Sequence, residues 1–108
     1  MKIFKLNDFF KGWVVGNFEP ALAHSDEVEV GIKYYQAGEV ELTHYHAKAV
    51  EYTAIVYGTV KMNGVQYTKG DIVKIEKNEA TNFEVLEATA TVVIKMPSVK
   101  NDKYLSND

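Results

Sequence analysis

The sequence predicts an all-β domain, a barrel or sandwich, on two observations. From Val28 onward the chain divides into short segments that alternate in polarity and are rich in Val, Ile, Thr and Tyr: VEVGIKYY, VELTHYH, VEYTAIVY, TVKMNGVQY, DIVKIE, NFEVLE and TATVVIKM. Turn residues separate them. The sharpest is Asn63-Gly64 between VKM and VQY, because both central positions of a type I′ hairpin turn require positive φ.

Taken in order, the elements are uneven in clarity. Leu6 to Trp13 reads as a short helix or an edge strand, and Gly16-Asn17-Phe18-Glu19-Pro20 as a loop. The alternating segments follow, with Lys69-Gly70-Asp71 marking a second tight turn. After Pro97 the run SVKNDKYLSND is polar and is expected to fray. The expected organisation is a single domain over residues 1–97 and a polar tail over 98–108, which suits a chain of 108 residues and 12.2 kDa.

Composition removes several function classes. Without cysteine, the chain has no disulfide, thiolate ligand or Cys nucleophile. Its cations are all lysine and its net charge is −3, so neither a basic nucleic-acid footprint nor a polybasic membrane patch is expected. Bidentate guanidinium contacts to phosphate are excluded as well. Lys5, Asp8 and Lys11 interrupt the N-terminal apolar run, which leaves no signal-peptide core, and no later segment reaches spanning length. The expectation is a soluble, cytoplasmic protein.

Two of the three histidines lie in GEVELTHYHAKAVEYTAIVYG. Strand parity puts Val40, Leu42, His44 and His46 on one face, and Glu51, Thr53, Ile55 and Tyr57 on one face of the next segment. Two imidazoles at i and i+2 with a carboxylate from the neighbouring strand form the 2-His-1-carboxylate set, which suits iron and admits manganese, zinc or nickel. Singly, each of these residues also reads as a solvated or hydrogen-bonded strand residue. His24, in AHSDE, reads as a surface residue.

The whole pattern, Gly38, His44, His46, Glu51 and Gly58, resembles the first signature motif of the cupin superfamily, G(X)5HXH(X)3,4E(X)6G, with each fixed position filled. The resemblance implies a single cupin barrel, a double-stranded β-helix of jelly-roll type, with a divalent metal held inside by His44, His46 and Glu51. The second motif, G(X)5PXG(X)2H(X)3N, aligns on Gly70 but places Glu76, Asn78, Thr81 and Val85 at its later positions. Thr81 thus stands where the fourth ligand histidine is usual. A hydroxyl there can hold water or hydrogen-bond a substrate, and Asn78 tolerates the left-handed backbone of a turn.

The expected function is a metal-dependent small-molecule enzyme, an oxygenase or an isomerase or epimerase. The alternative is a non-catalytic metabolite- or sugar-binding cupin, auxiliary to carbohydrate biosynthesis; a structural protein that keeps the motif without its use is the third. Proton-transfer candidates are Glu51, Tyr57 and Lys48. Substrate would contact Thr81, Tyr57 and Phe83 in the barrel mouth, within a wall completed by Val40, Leu42, Ile55 and Val85. A homodimer is expected, because VEYTAIVY is apolar on both faces and an uncovered second face needs a partner.

Overall fold

The computed structural model describes residues 1–106. The strands are β1 (Trp13–Gly16), β2 (Ala23–His24), β3 (Glu29–Tyr35), β4 (Val40–His46), β5 (Val50–Tyr57), β6 (Thr59–Met62), β7 (Val65–Thr68), β8 (Ile72–Ile75), β9 (Thr81–Val85), β10 (Thr89–Met96) and β11 (Lys103–Leu105). They form two sheets, one ordered β2-β1-β3-β10-β5-β8 and the other β11-β4-β9-β6-β7. All pairs are antiparallel except the short β1–β2 contact. The expected all-β class is present, and the chain alternates between the two sheets so that their inner faces enclose one interior.

Local chemistry fixes the turns. Asn63 and Gly64 take φ of 51° and 79° between β6 and β7, as the hairpin requires, and Asn78 is left-handed at φ 65°. Gly58 ends β5 at φ 97°, where a Cβ would come within 2.1 Å of the Thr89 hydroxyl. Only glycine fits there.

One end of the interior is an apolar floor. Ile55, Val60, Met62, Ile75, Phe83 and Val85 pack there with Tyr35, Tyr67 and Val73 against them, and the Tyr35 and Phe83 rings meet at 5.0 Å. The opposite end is polar and forms the site described below.

Two N-terminal and C-terminal expectations need correction. Leu6 to Trp13 is neither a regular helix nor an edge strand: it makes two 3-10 turns, Leu6–Asp8 and Phe10–Gly12, before β1 begins at Trp13. Lys11 is left-handed (φ 52°), which breaks any continuous helix there. The segment after Pro97 does not fray as far as Ser106; Asn107 and Asp108 lie outside the described residues. Ser98 donates to Glu29 at 2.8 Å and accepts from the Asn17 N–H at 2.9 Å. β11 then pairs with β4, with Tyr104 stacked on Tyr45. Between them the buried Asp102 carboxylate accepts from three successive N–H groups, of Ala47, Lys48 and Ala49, at 3.0–3.1 Å. A carboxylate clamps the β4–β5 turn because those donors have no strand partner.

The outer face of the larger sheet is apolar over its middle strands. Cross-strand register aligns Ile32, Val92, Ala54 and Ile72 in one row and Val30, Ile94 and Tyr52 in the next. Tyr34, Val56, Ile72 and Met96 on this side are exposed.

The clamp carries a stability prediction. Asp102→Ala strands the turn's N–H groups and should cost about 2–4 kcal/mol, read as a fall in the urea midpoint, with Asp102→Asn losing less. A loss below about 0.5 kcal/mol, the size of an ordinary surface substitution, would show that the turn holds itself.

Candidate functional site

Most of the interior side chains at the polar end come from five strands and are sorted by register, with Trp13 of β1, Met62 of β6 and Lys103 of β11 adding to the lining. On β3, Glu29, Gly31, Lys33 and Tyr35 share one face, and their β10 partners Lys95, Val93, Thr91 and Thr89 share it too. Across β10, Lys95 pairs with Glu51 and Val93 with Thr53 of β5. These residues, with His44 and His46 from β4 and Thr81 and Phe83 from β9, enclose a cavity of about 330 Å³; all but Thr53, Thr89, Thr91 and Gly31 line it directly.

Two one-residue irregularities decide which expected residues reach this cavity. On β4, Glu41 pairs with Phe83 and His44 with Thr81, so Leu42 and Thr43 stand opposite the single residue Asn82. The extra residue shifts side-chain parity. Glu41 therefore lines the cavity with His44 and His46, while Val40 and Leu42, expected in the wall, are 61% and 69% exposed. On β5, Val56 is the extra residue between the Ile55–Thr91 and Tyr57–Ala90 pairs. Tyr57 is turned outward and 45% exposed, so it is neither a pocket residue nor a proton-transfer group. Ile55 and Val85 belong to the floor. Lys48 is exposed in the clamped turn and does not line the cavity.

The remaining expectations meet in one place. His44, His46, Glu51, Thr81 and Phe83 all line the cavity, and Thr81 lies directly across from His44. Thr81 is buried, and its hydroxyl donates to the Asn82 carbonyl at 2.8 Å. The His44 and His46 rings approach edge to face at 5.5 Å. His44 Nδ1 lies 2.8 Å from the Leu42 carbonyl, which makes Nδ1 the protonated nitrogen and leaves Nε2 with its lone pair. Thr53 donates to Glu51 Oε2 at 2.8 Å, and Glu51 Oε1 lies 3.8 Å from His46 Nδ1. His24 is an exposed residue paired with Glu19 at 2.6 Å, as expected of a surface histidine.

The donor set fits a divalent transition metal in kind: two imidazoles and a carboxylate, two of the three oriented by hydrogen bonds. It does not stand at coordination distance, since among the described residues no three His, Cys, Asp or Glu side chains are grouped closely enough to hold an ion. The sequence-level triad is thus gathered in one cavity but not closed.

Sequence reasoning missed the charged lining. Lys95 pairs with Glu29 at 3.0 Å. Tyr35 reaches Glu41 at 3.5 Å, and burial together with the Glu41 and Glu51 carboxylates pushes its phenol well above the ordinary range, so it stays protonated. Burial brings the Lys33 ammonium down to about 8; Glu41 opposes this and Lys95, Lys11 and Lys103 reinforce it. The polar face of β3 was visible in EVGIKYY as Glu29, Lys33 and Tyr35, but such a face ordinarily reads as the solvent side.

His46 gives a pH prediction. Burial, with Lys95 and His44 adding to it and Asp102 opposing, lowers its pKa from 6.5 to about 4. Between those values the unfolded chain holds more proton than the folded one, so this group's contribution to stability is lost as pH falls from 6.5 towards 4. The stability difference between the wild type and His46→Gln should therefore shift against the wild type across that window in urea titrations. Parallel pH curves would show that His46 does not titrate this way.

No protein-family model matches the chain, and no curated protein matches it in sequence. Solved structures do match it in fold. An uncharacterised double-stranded β-helix domain protein from Klebsiella pneumoniae superposes with a TM-score of 0.74 at 15% identity, over 99% of this chain and 93% of that one. The DMSP lyase DddQ from Ruegeria pomeroyi gives 0.72 at 19% identity over 87% of this chain and 49% of its own, so the chain spans about half of that enzyme's length. Oxalate decarboxylase from Bacillus subtilis, described with Mn(II) centres, gives 0.64 at 14% identity over 78% of this chain and 25% of its own. The chain has the double-stranded β-helix fold of cupin-type proteins.

Proposed function

We propose that the chain is a small-molecule enzyme of the cupin type, working in the polar end of the barrel with a divalent metal held by His44, His46 and Glu51. The observation that carries this reading is that the three side chains share one cavity, with the free lone pair of His44 and Glu51 Oε1 left for an ion by the Leu42 and Thr53 contacts. The Mn(II) centres of the B. subtilis oxalate decarboxylase support a divalent ion in this fold. When bound, the ion would supply Lewis-acid polarisation of a carbonyl or activation of oxygen. The protein's own part is to admit a compact molecule through the mouth, hold it against Phe83 and Thr81, donate a hydrogen bond to it from the protonated Tyr35 hydroxyl, and accept a proton at Glu41. An oxygenase or an isomerase or epimerase suits these groups.

One observation favours a second reading, a metabolite-binding barrel without catalysis: the three donors stand apart rather than closed. Titration calorimetry with Mn²⁺, Zn²⁺ and Ni²⁺ separates the two. The enzyme reading predicts one ion per chain, an affinity loss of about 100-fold or more in His44→Ala and His46→Ala, and tighter binding in Thr81→His. Absent heat in the wild type, or unchanged binding in both alanine variants, would leave the binding-module reading.

We also propose that a second copy of the chain covers the outer sheet face in solution. The half-buried apolar rows across β3, β10, β5 and β8, flanked by the exposed Tyr34, Val56, Ile72 and Met96, support it, because apolar surface gathered on one face marks an interaction site. Light scattering should give twice the 12.2 kDa chain mass, and Ile72→Lys should return it to one. A single-chain mass for the wild type at tens of micromolar would contradict the dimer.

A further inference from the structure

We propose that Lys33 is a carbonyl-capturing amine, its nitrogen forming an imine with a small aldehyde or ketone that enters the barrel cavity. This goes beyond the metal reading and does not depend on it.

Placement comes first. Lys33 lines the cavity from the inner face of β3. Trp13 lies directly on Gly31, so closely that a Cβ there would sit 2.8 Å from the ring. The indole is thereby held with Lys33 Nζ at 4.3 Å and Lys95 Nζ at 4.8 Å from its centroid, and the two amines are fixed beside one ring. They are not equivalent. Lys95 is neutralised by Glu29, which Ser98 also supports. Lys33 has no carboxylate at ion-pair distance among the described residues, and it donates to the Lys11 carbonyl.

The charged and titratable groups that share the cavity with Lys33 are Lys11 from the second 3-10 turn, Lys95 from β10, Lys103 from β11, Glu41, His44 and His46 from β4, Glu51 from β5, and Glu29 and Tyr35 on its own strand face. Burial and the neighbouring ammonium groups outweigh Glu41 and bring its pKa to about 8. Neutral amine is then on the order of a hundredfold more abundant near neutral pH than for an ordinary lysine, the activation that desolvation and neighbouring cations give nucleophilic lysines.

The surrounding groups suit the reaction. The Nζ lone pair attacks the carbonyl carbon, and the carbonyl electron pair moves to oxygen, which takes a proton. The nitrogen loses a proton, the resulting hydroxyl leaves as water with a second proton as the nitrogen lone pair closes C=N, and the iminium nitrogen then gives up its remaining proton. Amine and carbonyl give imine and water with no redox change. Glu41, 3.5 Å from the Tyr35 hydroxyl, is placed to relay those protons, while the protonated Tyr35, two residues along the same face as Lys33, offers its O–H as a hydrogen-bond donor to the carbonyl oxygen. Opposite Lys33 in register, Thr91 is 1% exposed and its hydroxyl has no hydrogen-bond partner among the described residues; it shares its strand face with Val93 and Lys95 but does not itself line the cavity.

The test is reductive trapping of the intact protein with pyruvate and cyanoborohydride in the presence of chelator, followed by peptide mass mapping. Lys33 should label on the order of tenfold faster than any other of the 12 lysines, with a rate that rises through pH 8. Lys33→Arg should remove the fast phase alone. Lys95→Met should move the profile to higher pH, an effect that a structural role for Lys33 does not produce. Labelling of Lys33 no faster than that of exposed lysines such as Lys69 or Lys100 would overturn the proposal, whatever the outcome of metal titration.

Discussion

The extra residue in β4 is the constraint on which the site depends. Two closed sheets give every strand one inward face, and a shift of a single residue exchanges the faces. With Leu42 and Thr43 opposite Asn82, the inward set of β4 becomes Glu41, His44 and His46. Unbroken alternation would put Leu42 inside, and Tyr35 would lose the carboxylate it meets at 3.5 Å. The strand is held in this register from both sides, by β9 and by β11, and its end is fixed by the Asp102 clamp on the following turn.

The interior that results is divided. Its floor of Ile55, Val60, Met62, Phe83 and Val85 is nearly inaccessible and supplies the burial that a chain this short needs. Its polar end works against folding: charges taken from water cost several kcal/mol unless paired. Glu29 is met by Lys95 and Ser98, and Glu51 by Thr53. Lys33, Thr91 and the free edge of His44 are less completely satisfied. Groups left in that state cost folding free energy, and of the three Lys33 and His44 line the cavity.

Much of this was legible in the residues themselves. The alternating segments and Asn63-Gly64 foretold the strands and the hairpin, and the spacing of His44, His46 and Glu51 foretold their convergence on one interior. Thr81, which alignment on Gly70 puts at the second motif's histidine position, falls opposite His44. What escaped were events that alternation cannot encode. The irregularities at Leu42–Thr43 and at Val56 arise from pairing with distant strands, and they reversed Leu42 and Tyr57. The anchoring of Ser98 and Asp102 joins residues more than 50 positions apart, so a polar tail looked free. The charged face of β3 looked solvated because the sequence does not tell a cavity from solvent.

The central claim, that the polar end of the barrel is the binding centre, is tested most directly by paramagnetic broadening of the amide NMR spectrum on adding Mn²⁺. The account predicts early, selective loss of signals from His44, His46, Glu51, Thr81 and their strand neighbours, while the floor at Val60 and Val85 persists. Broadening confined to exposed acidic residues such as Glu76 and Glu79, with the cavity strands untouched, would contradict it.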